Sequence, residues 1–205
     1  MTMRPDLALV AGLIPPGSRV LDLGCGSGTL LAHLMREQGC RGTGVEIAPD
    51  SVLAAIRHGV PVIELDIDEQ LGDFADDSYD VVVLSRTIQT IHRPQEVLQH
   101  MGRIGRRLIV SVPNFGWWGH RLRLLGGRMP MSRELPYAWF NTPNLRHTTL
   151  VDLQLLFDHL GFDVVQRITL SPSGDRLKAG DRLANLVAGA AVYVLDPHPA
   201  GDQPG

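Results

Sequence analysis

The 205-residue chain is poor in cysteine, in aromatic residues and in net charge. Its two cysteines, Cys25 and Cys40, can supply neither a disulfide framework nor a four-thiolate zinc site. Lys and Arg number 19 against 22 Asp and Glu, a net charge of −3, so no overall bias toward nucleic acid or an anionic membrane exists. No apolar run approaches the roughly 20 residues needed to span a bilayer. The longest, Leu186 to Leu195, has the length of a strand. No basic segment leading into an apolar one opens the chain, so no secretory leader is expected. These absences leave a reduced, cytoplasmic, soluble domain as the expectation, with no metal, nucleic acid or membrane as partner. At 44% hydrophobic and 20% charged the chain is globular, and its length suits one domain with a core of its own.

Short β-branched runs alternate with helical patterns over the first 110 residues. Strands are predicted at 19–23, 43–47, 60–65, 80–84 and 107–112, with helices at 29–37, 49–58 and 94–104. Continuously apolar strands such as Val81-Val82-Val83, alternating with helices, imply a parallel sheet covered on both faces. Right-handed crossovers then give a doubly wound, Rossmann-like α/β fold. The regular pattern breaks from Pro113 to about Thr148, where only a helical piece near 119–125 stands out. A helix at 150–160 and strands at 162–170 and 190–195 follow, for seven strands in a mostly parallel sheet. One domain is therefore expected over 1–195, with an irregular insertion at about 113–148. Residues 196–205, rich in Pro and Gly, read as a disordered tail.

The chemistry is written most clearly in Asp22-Leu23-Gly24-Cys25-Gly26-Ser27-Gly28, at a strand-to-helix junction. Three alternating glycines exceed what a tight turn needs; they permit positive φ or close approach of a ligand. The helix N-terminus behind them offers N–H groups to an anion. Thr29 stands where the dinucleotide fingerprint has its third glycine, so the pattern is G-x-G-x-G with an acid two residues ahead. That resembles motif I of the class I S-adenosyl-L-methionine (SAM)-dependent methyltransferases. The resemblance implies that Asp22, Gly24, Cys25, Gly26 and Gly28 surround the methionine part of SAM or of S-adenosylhomocysteine. Glu46, at the end of the second strand, can accept both ribose hydroxyls. Ile47 would lie on the adenine face, Asp66 would accept the adenine amino group beside Ile67, and Ser85 would face the same cleft from the fourth strand. Asp66, Asp68 and Glu69 also read as a solvated turn. Cys25 reads either as a thiol activated by a helix N-terminus or as a small residue packed under the loop, and the packing role is preferred. His92, His120 and His147 are the bases a methyl acceptor could use, and none is assigned that role. The Asn-Pro-Pro-Tyr motif of amino-methylating enzymes is replaced by Ser85-Arg86-Thr87-Ile88.

Six of the 11 aromatic residues, including all three Trp, fall between Phe115 and Phe140. Within 117–146 five arginines face one acid, Glu134; that stretch carries +4, leaving −7 for the remainder of a chain whose total is −3. Such a segment could be a nucleic-acid groove, a protein interface, a substrate lid or a loop packed on its own sheet. The blocks Pro113-Asn114-Phe115-Gly116, Gly126-Gly127-Arg128-Met129-Pro130, Leu135-Pro136-Tyr137 and Asn141-Thr142-Pro143-Asn144, with Met3-Arg4-Pro5-Asp6-Leu7 and Val83-Leu84-Ser85, resemble the MetW family of methionine biosynthesis proteins over about residues 3–170. Ser27 departs from that family, which usually has Asp there. The resemblance implies a methyltransferase fold, SAM as cofactor and the homoserine O-acyltransferase MetX as partner, for which the 113–148 segment is one candidate surface. The chain lacks a G-x-S-x-G nucleophile elbow, so it is not read as the acyltransferase itself.

Overall fold

The structure, a computed structural model, describes residues 3–178 and 180–197. Five strands, β1 (Arg19–Leu23), β2 (Arg41–Glu46), β3 (Val62–Glu64), β4 (Val81–Ser85) and β5 (Leu108–Pro113), pair in parallel. β6 (Phe162–Leu170), β7 (Arg176–Leu177) and β8 (Ala190–Pro197) extend the sheet, in the order β3-β2-β1-β4-β5-β8-β6-β7. β8 is antiparallel to both β5 and β6, and β7 is antiparallel to β6. All seven strands read from the sequence are present. The eighth, β7, is a two-residue edge strand, too short to leave a periodic signal.

Among the described residues seven α-helices flank the sheet: α1 (Pro5–Ala11), α2 (Thr29–Gln38), α3 (Pro49–Arg57), α4 (Pro94–Ile104), α5 (Trp118–Leu125), α6 (Leu150–His159) and α7 (Asp181–Val187). Alternate strand residues feed two cores. Leu21, Leu23, Val82, Leu84, Leu108 and Val110 pack with α4 and α6, while Val20, Val81, Val83 and Ile109 pack with α1, α2 and α3. Both faces are thus buried, which is why these strands read as unbroken apolar runs. α2 begins and ends on glycines in the left-handed region, Gly28 at φ 71° and Gly39 at φ 63°. α1 has no counterpart in the sequence reading, since seven residues are too few to establish a helical period.

Two residues read as tail from the sequence are in the sheet. Asp196 and Pro197 are the last residues of β8, and Asp196 is fixed by a bidentate pair with Arg107 at 2.8 and 3.0 Å. Residues 198–205 lie outside the described part. No helix among the described residues is long and apolar enough to cross a membrane. β1 has β2 on one side and β4 on the other, so chain direction across the sheet reverses between β1 and β4. The crevice outside their carboxyl ends is where a doubly wound sheet binds ligands.

Candidate functional site

The glycine loop fills that crevice. Gly24 and Gly26 have φ of 71° and 54°, a region costly for residues with a Cβ. The N–H groups of Gly24 and Cys25 both donate to the Val45 carbonyl, at 2.8 and 3.0 Å, which anchors the loop to β2. Glu46 then organises the turn. Its Oε2 accepts from Gly26 N–H at 2.8 Å, and its Oε1 accepts from Ile47 and Ala48 N–H at 2.9 and 3.0 Å. Three backbone donors orient this carboxylate, leaving about one acceptor site free, and Glu46 lines a cavity of about 370 Å³. Gly24, Ile47, Asp66, Ile67 and His92 also line it, so the expected ribose and adenine residues come together. A second cavity of about 250 Å³ is lined by Asp22, Gly24, Cys25, Gly26 and Ser85. Gly28 lines neither cavity. It caps α2, and its open side packs against Ala55 and Val60, so its role is to turn the chain.

Gly24 is the one residue common to both cavities. Thr87 lies directly over it: a Cβ added at Gly24 would sit 2.6 Å from Thr87 Oγ1. The crevice therefore holds two chambers that share Gly24, and Thr87 packs against that glycine. Sequence reading missed Thr87, and it also missed Arg4, which lines the smaller chamber from just ahead of α1. No spacing rule links residue 4 to residue 22, and only the docking of α1 brings them together.

The smaller chamber holds a charge. Burial pushes the Asp22 carboxyl up to about 7, a shift opposed by the positive Arg4 and reinforced by the negative Glu46. A ligand ammonium beside Asp22 would restore its carboxylate. Cys25 is pushed up to about 12, chiefly by burial, with Asp22 and Glu46 adding to it. Its Sγ packs against Gly44, where an added Cβ would approach to 2.5 Å. This thiol is unreactive and fills space under the loop, the packing role preferred from sequence. Among the described residues, no group of three His, Cys, Asp or Glu could hold a metal ion.

The turn after β4, residues 86–92, roofs the larger chamber through Arg86, Thr87, Thr90, Ile91 and His92. Arg86 adopts φ 56°, a left-handed conformation costing a non-glycine residue roughly 1–3 kcal/mol unless its surroundings enforce it. Two buried carboxylates do so. Asp6 of α1 pairs with the Arg86 guanidinium at 2.9 Å, and Glu134 of the irregular segment pairs with it from another side. Asp68, read from sequence within a solvated turn, instead accepts the N–H groups of His92 and Arg93 at 2.9 and 2.8 Å and fixes the far end of the roof.

The 113–148 segment is the second feature of the site. Its arginines are largely spent on backbone. Arg121 donates to Gly116, Arg123 to Met129 and Arg133 to Ser173, while Arg146 donates to Ile91 and His92. The aromatics divide into root and tip. Phe115 and Trp117 pack with His120 and His147 near the base, with Phe115 stacked on His147 at 4.6 Å. His120 is buried, and that burial holds its imidazole below the usual histidine range. At the tip Trp139 and Phe140 are 72% and 73% exposed and pack edge-on against each other. Leu122, Leu125, Met129 and Tyr137 are exposed as well, so α5 and the following loop present a wide apolar surface.

Residues 4–195 match the family described as methionine biosynthesis protein MetW. The chain is 35% identical, over 95% of its length, to the bifunctional methionine biosynthesis protein MetXA/MetW of Rhodopirellula baltica, of which it spans 33%. It is 32% identical over 105 residues to the ubiquinone biosynthesis O-methyltransferase of Paracidovorax citrulli, a match covering 48% of this chain and 44% of that one. A solved SAM-dependent methyltransferase from Mesorhizobium loti superposes with a TM-score of 0.68 at 15% identity, covering 94% of this chain and 98% of the other. That last likeness shows the fold.

Proposed function

This chain belongs to the MetW family, and from that premise we propose that it binds SAM in the β1–β4 crevice and acts with the homoserine O-acyltransferase MetX in methionine biosynthesis. The observation that carries the cofactor reading is the placing of Asp22 and Glu46 on opposite sides of Gly24, one in each chamber. Asp22 suits the amino group, with Arg4 beside it for the carboxylate of the methionine moiety. Glu46, with three of its acceptor sites taken by backbone N–H groups, suits one ribose hydroxyl, and Ile47, Asp66 and Ile67 suit the adenine. Ser85 lines the methionine side. When bound, SAM supplies a sulfonium methyl open to in-line displacement, a reaction served mainly by positioning.

The partner reading is supported by the relative that carries both names in one protein. It is also supported by the exposed apolar tip, since tryptophan, tyrosine and methionine are enriched at protein interfaces. In this reading the protein reports SAM to the acyltransferase, and coupling requires that SAM alter the affinity between the two. Co-purification with MetX, and acyltransferase activity with and without this chain across a SAM titration, form the test. A stable complex whose activity responds to SAM is expected; no complex and no change in activity would overturn the partner role.

A second reading, methyl transfer to a small molecule, is favoured by the 32% identity to an O-methyltransferase across half the chain. Formation of S-adenosylhomocysteine with an added acceptor would support it.

A further inference from the structure

The roof of the adenosine chamber is also an anchor of the aromatic segment. Residues 86–92 close the larger chamber, and the 113–148 segment grips the same turn at three points. Glu134 pairs with the Arg86 guanidinium. The N–H groups of Leu145 and Arg146 both donate to the Gln89 carbonyl, at 2.9 and 3.1 Å. The Arg146 guanidinium donates to the carbonyls of Ile91 and His92, at 3.3 and 2.6 Å. Meanwhile Thr87 packs on Gly24, the residue the two chambers share, and lines the larger of them. A ligand that occupies both chambers passes this glycine, whereas one confined to a single chamber does not.

We propose that Thr87 is a gate and the Arg86–Glu134 pair its latch, so that only a ligand spanning both chambers moves the turn and, through it, the aromatic surface on 113–148. The inference rests on the SAM reading above and adds how occupancy would reach that surface. Arg86 is suited to the task. Its left-handed backbone is held by ion pairs to Asp6 and Glu134, and loosening those contacts lets the residue relax toward ordinary φ. In this proposal the turn has two arrangements, closed with the latch made and open with the ligand in place. A ligand that favours the open arrangement shifts the population by the difference in its affinity for the two. Ion pairs that must break on binding oppose it, so removing them tightens binding.

All three tryptophans lie in the segment, so the protein carries its own reporter. S-adenosylhomocysteine is titrated into the intact protein, with binding followed by calorimetry and the segment by tryptophan emission; adenosine serves as the single-chamber probe. The wild type should bind S-adenosylhomocysteine with an emission shift, and adenosine should bind without one. Glu134→Gln should bind S-adenosylhomocysteine several-fold more tightly and lose the shift. A residue with only a structural role would instead weaken binding when replaced. Thr87→Ala lies outside the ion-pair network and tests the gate should Glu134→Gln fail to fold. It should tighten binding of S-adenosylhomocysteine by a larger factor than binding of adenosine, whose chamber Thr87 also lines, and an equal change in both overturns the gate. Binding of S-adenosylhomocysteine without an emission shift, or an equal shift with adenosine, overturns the gate and leaves the cofactor reading standing. Absence of S-adenosylhomocysteine binding by calorimetry overturns the cofactor reading and the gate with it.

Discussion

The glycine loop and the 113–148 segment lie on either side of the 86–92 turn, and they use polar groups in opposite ways. At the glycine loop the backbone supplies donors, and one carboxylate, Glu46, gathers Gly26 N–H together with those of Ile47 and Ala48 after β2. In the segment the backbone supplies acceptors, and arginine side chains tie them together. The first arrangement leaves a polar chamber facing inward. The second uses up its charge and leaves Trp139 and Phe140 facing out. The +4 carried by residues 117–146 is therefore chiefly mortar, and the available contact surface is apolar. The count of charges pointed to the right stretch of chain for a different reason than the structure gives.

If the two regions have separate tasks, they should fail separately. The largest effect is expected for Glu46→Ala, which unpairs three backbone donors, those of Gly26, Ile47 and Ala48, and removes the ribose acceptor. A charge-assisted hydrogen bond contributes about 1.5–3 kcal/mol, so S-adenosylhomocysteine affinity should fall by about 100-fold. Calorimetry reads this, and unchanged affinity would refute the assignment. Next is Trp139→Ala with Phe140→Ala. Exposed anchors of this type carry about 2 kcal/mol or more of an interface, while surface changes alter stability by only about 0.5 kcal/mol. Capture of MetX should be lost, with melting temperature and cofactor affinity retained. Loss of fold or of cofactor binding would show that the tip is packed for stability instead.

A third effect is pH dependence at Asp22, the buried group of the smaller chamber, which faces Arg4, Glu46 and Cys25. In the free protein it titrates at about 7, pushed up by burial. A bound ammonium favours the carboxylate, so ligand binding releases a proton. Affinity should rise as pH increases toward about 7 and level off above it; the limiting slope is about tenfold per pH unit. The same shift opposes folding. The unfolded carboxyl ionises from about pH 4, and folded stability then declines up to about 7. Asp22→Asn should therefore melt higher at neutral pH while binding S-adenosylhomocysteine more weakly and without this pH slope. Comparing thermal melts and calorimetry at three pH values checks both signs. The smallest effect is at Cys25: with its thiol pushed up to about 12, alkylation at pH 8 should be much slower than for a free cysteine.

These two regions were not equally legible in the sequence. Motif I, Glu46 and Asp66 could be read because spacing along consecutive β–α units translates directly into position around one crevice. Gly28 satisfied the same pattern yet serves the helix, since a left-handed cap and a ligand contact both require glycine. Arg4, Thr87 and the Asp6–Arg86–Glu134 cluster were not legible. Their contacts join residues about 80 and 48 positions apart with no periodicity between them, and an arginine gives no sign of a left-handed backbone.

The direction of β8 has a practical consequence for handling the protein. Because β8 runs against β5, it starts beside Pro113 at the crevice and ends beside Phe162 at the opposite rim of the sheet, about 20 Å away at ~3.3 Å per residue. Met3 and Arg4, by contrast, form a wall of the smaller chamber. A purification handle or reporter joined ahead of residue 3 emerges at the mouth of that chamber, whereas one joined beyond Pro197 leaves from the far rim. Immobilisation for binding measurements should therefore use the far rim, where the surface chemistry cannot compete with the molecule being measured.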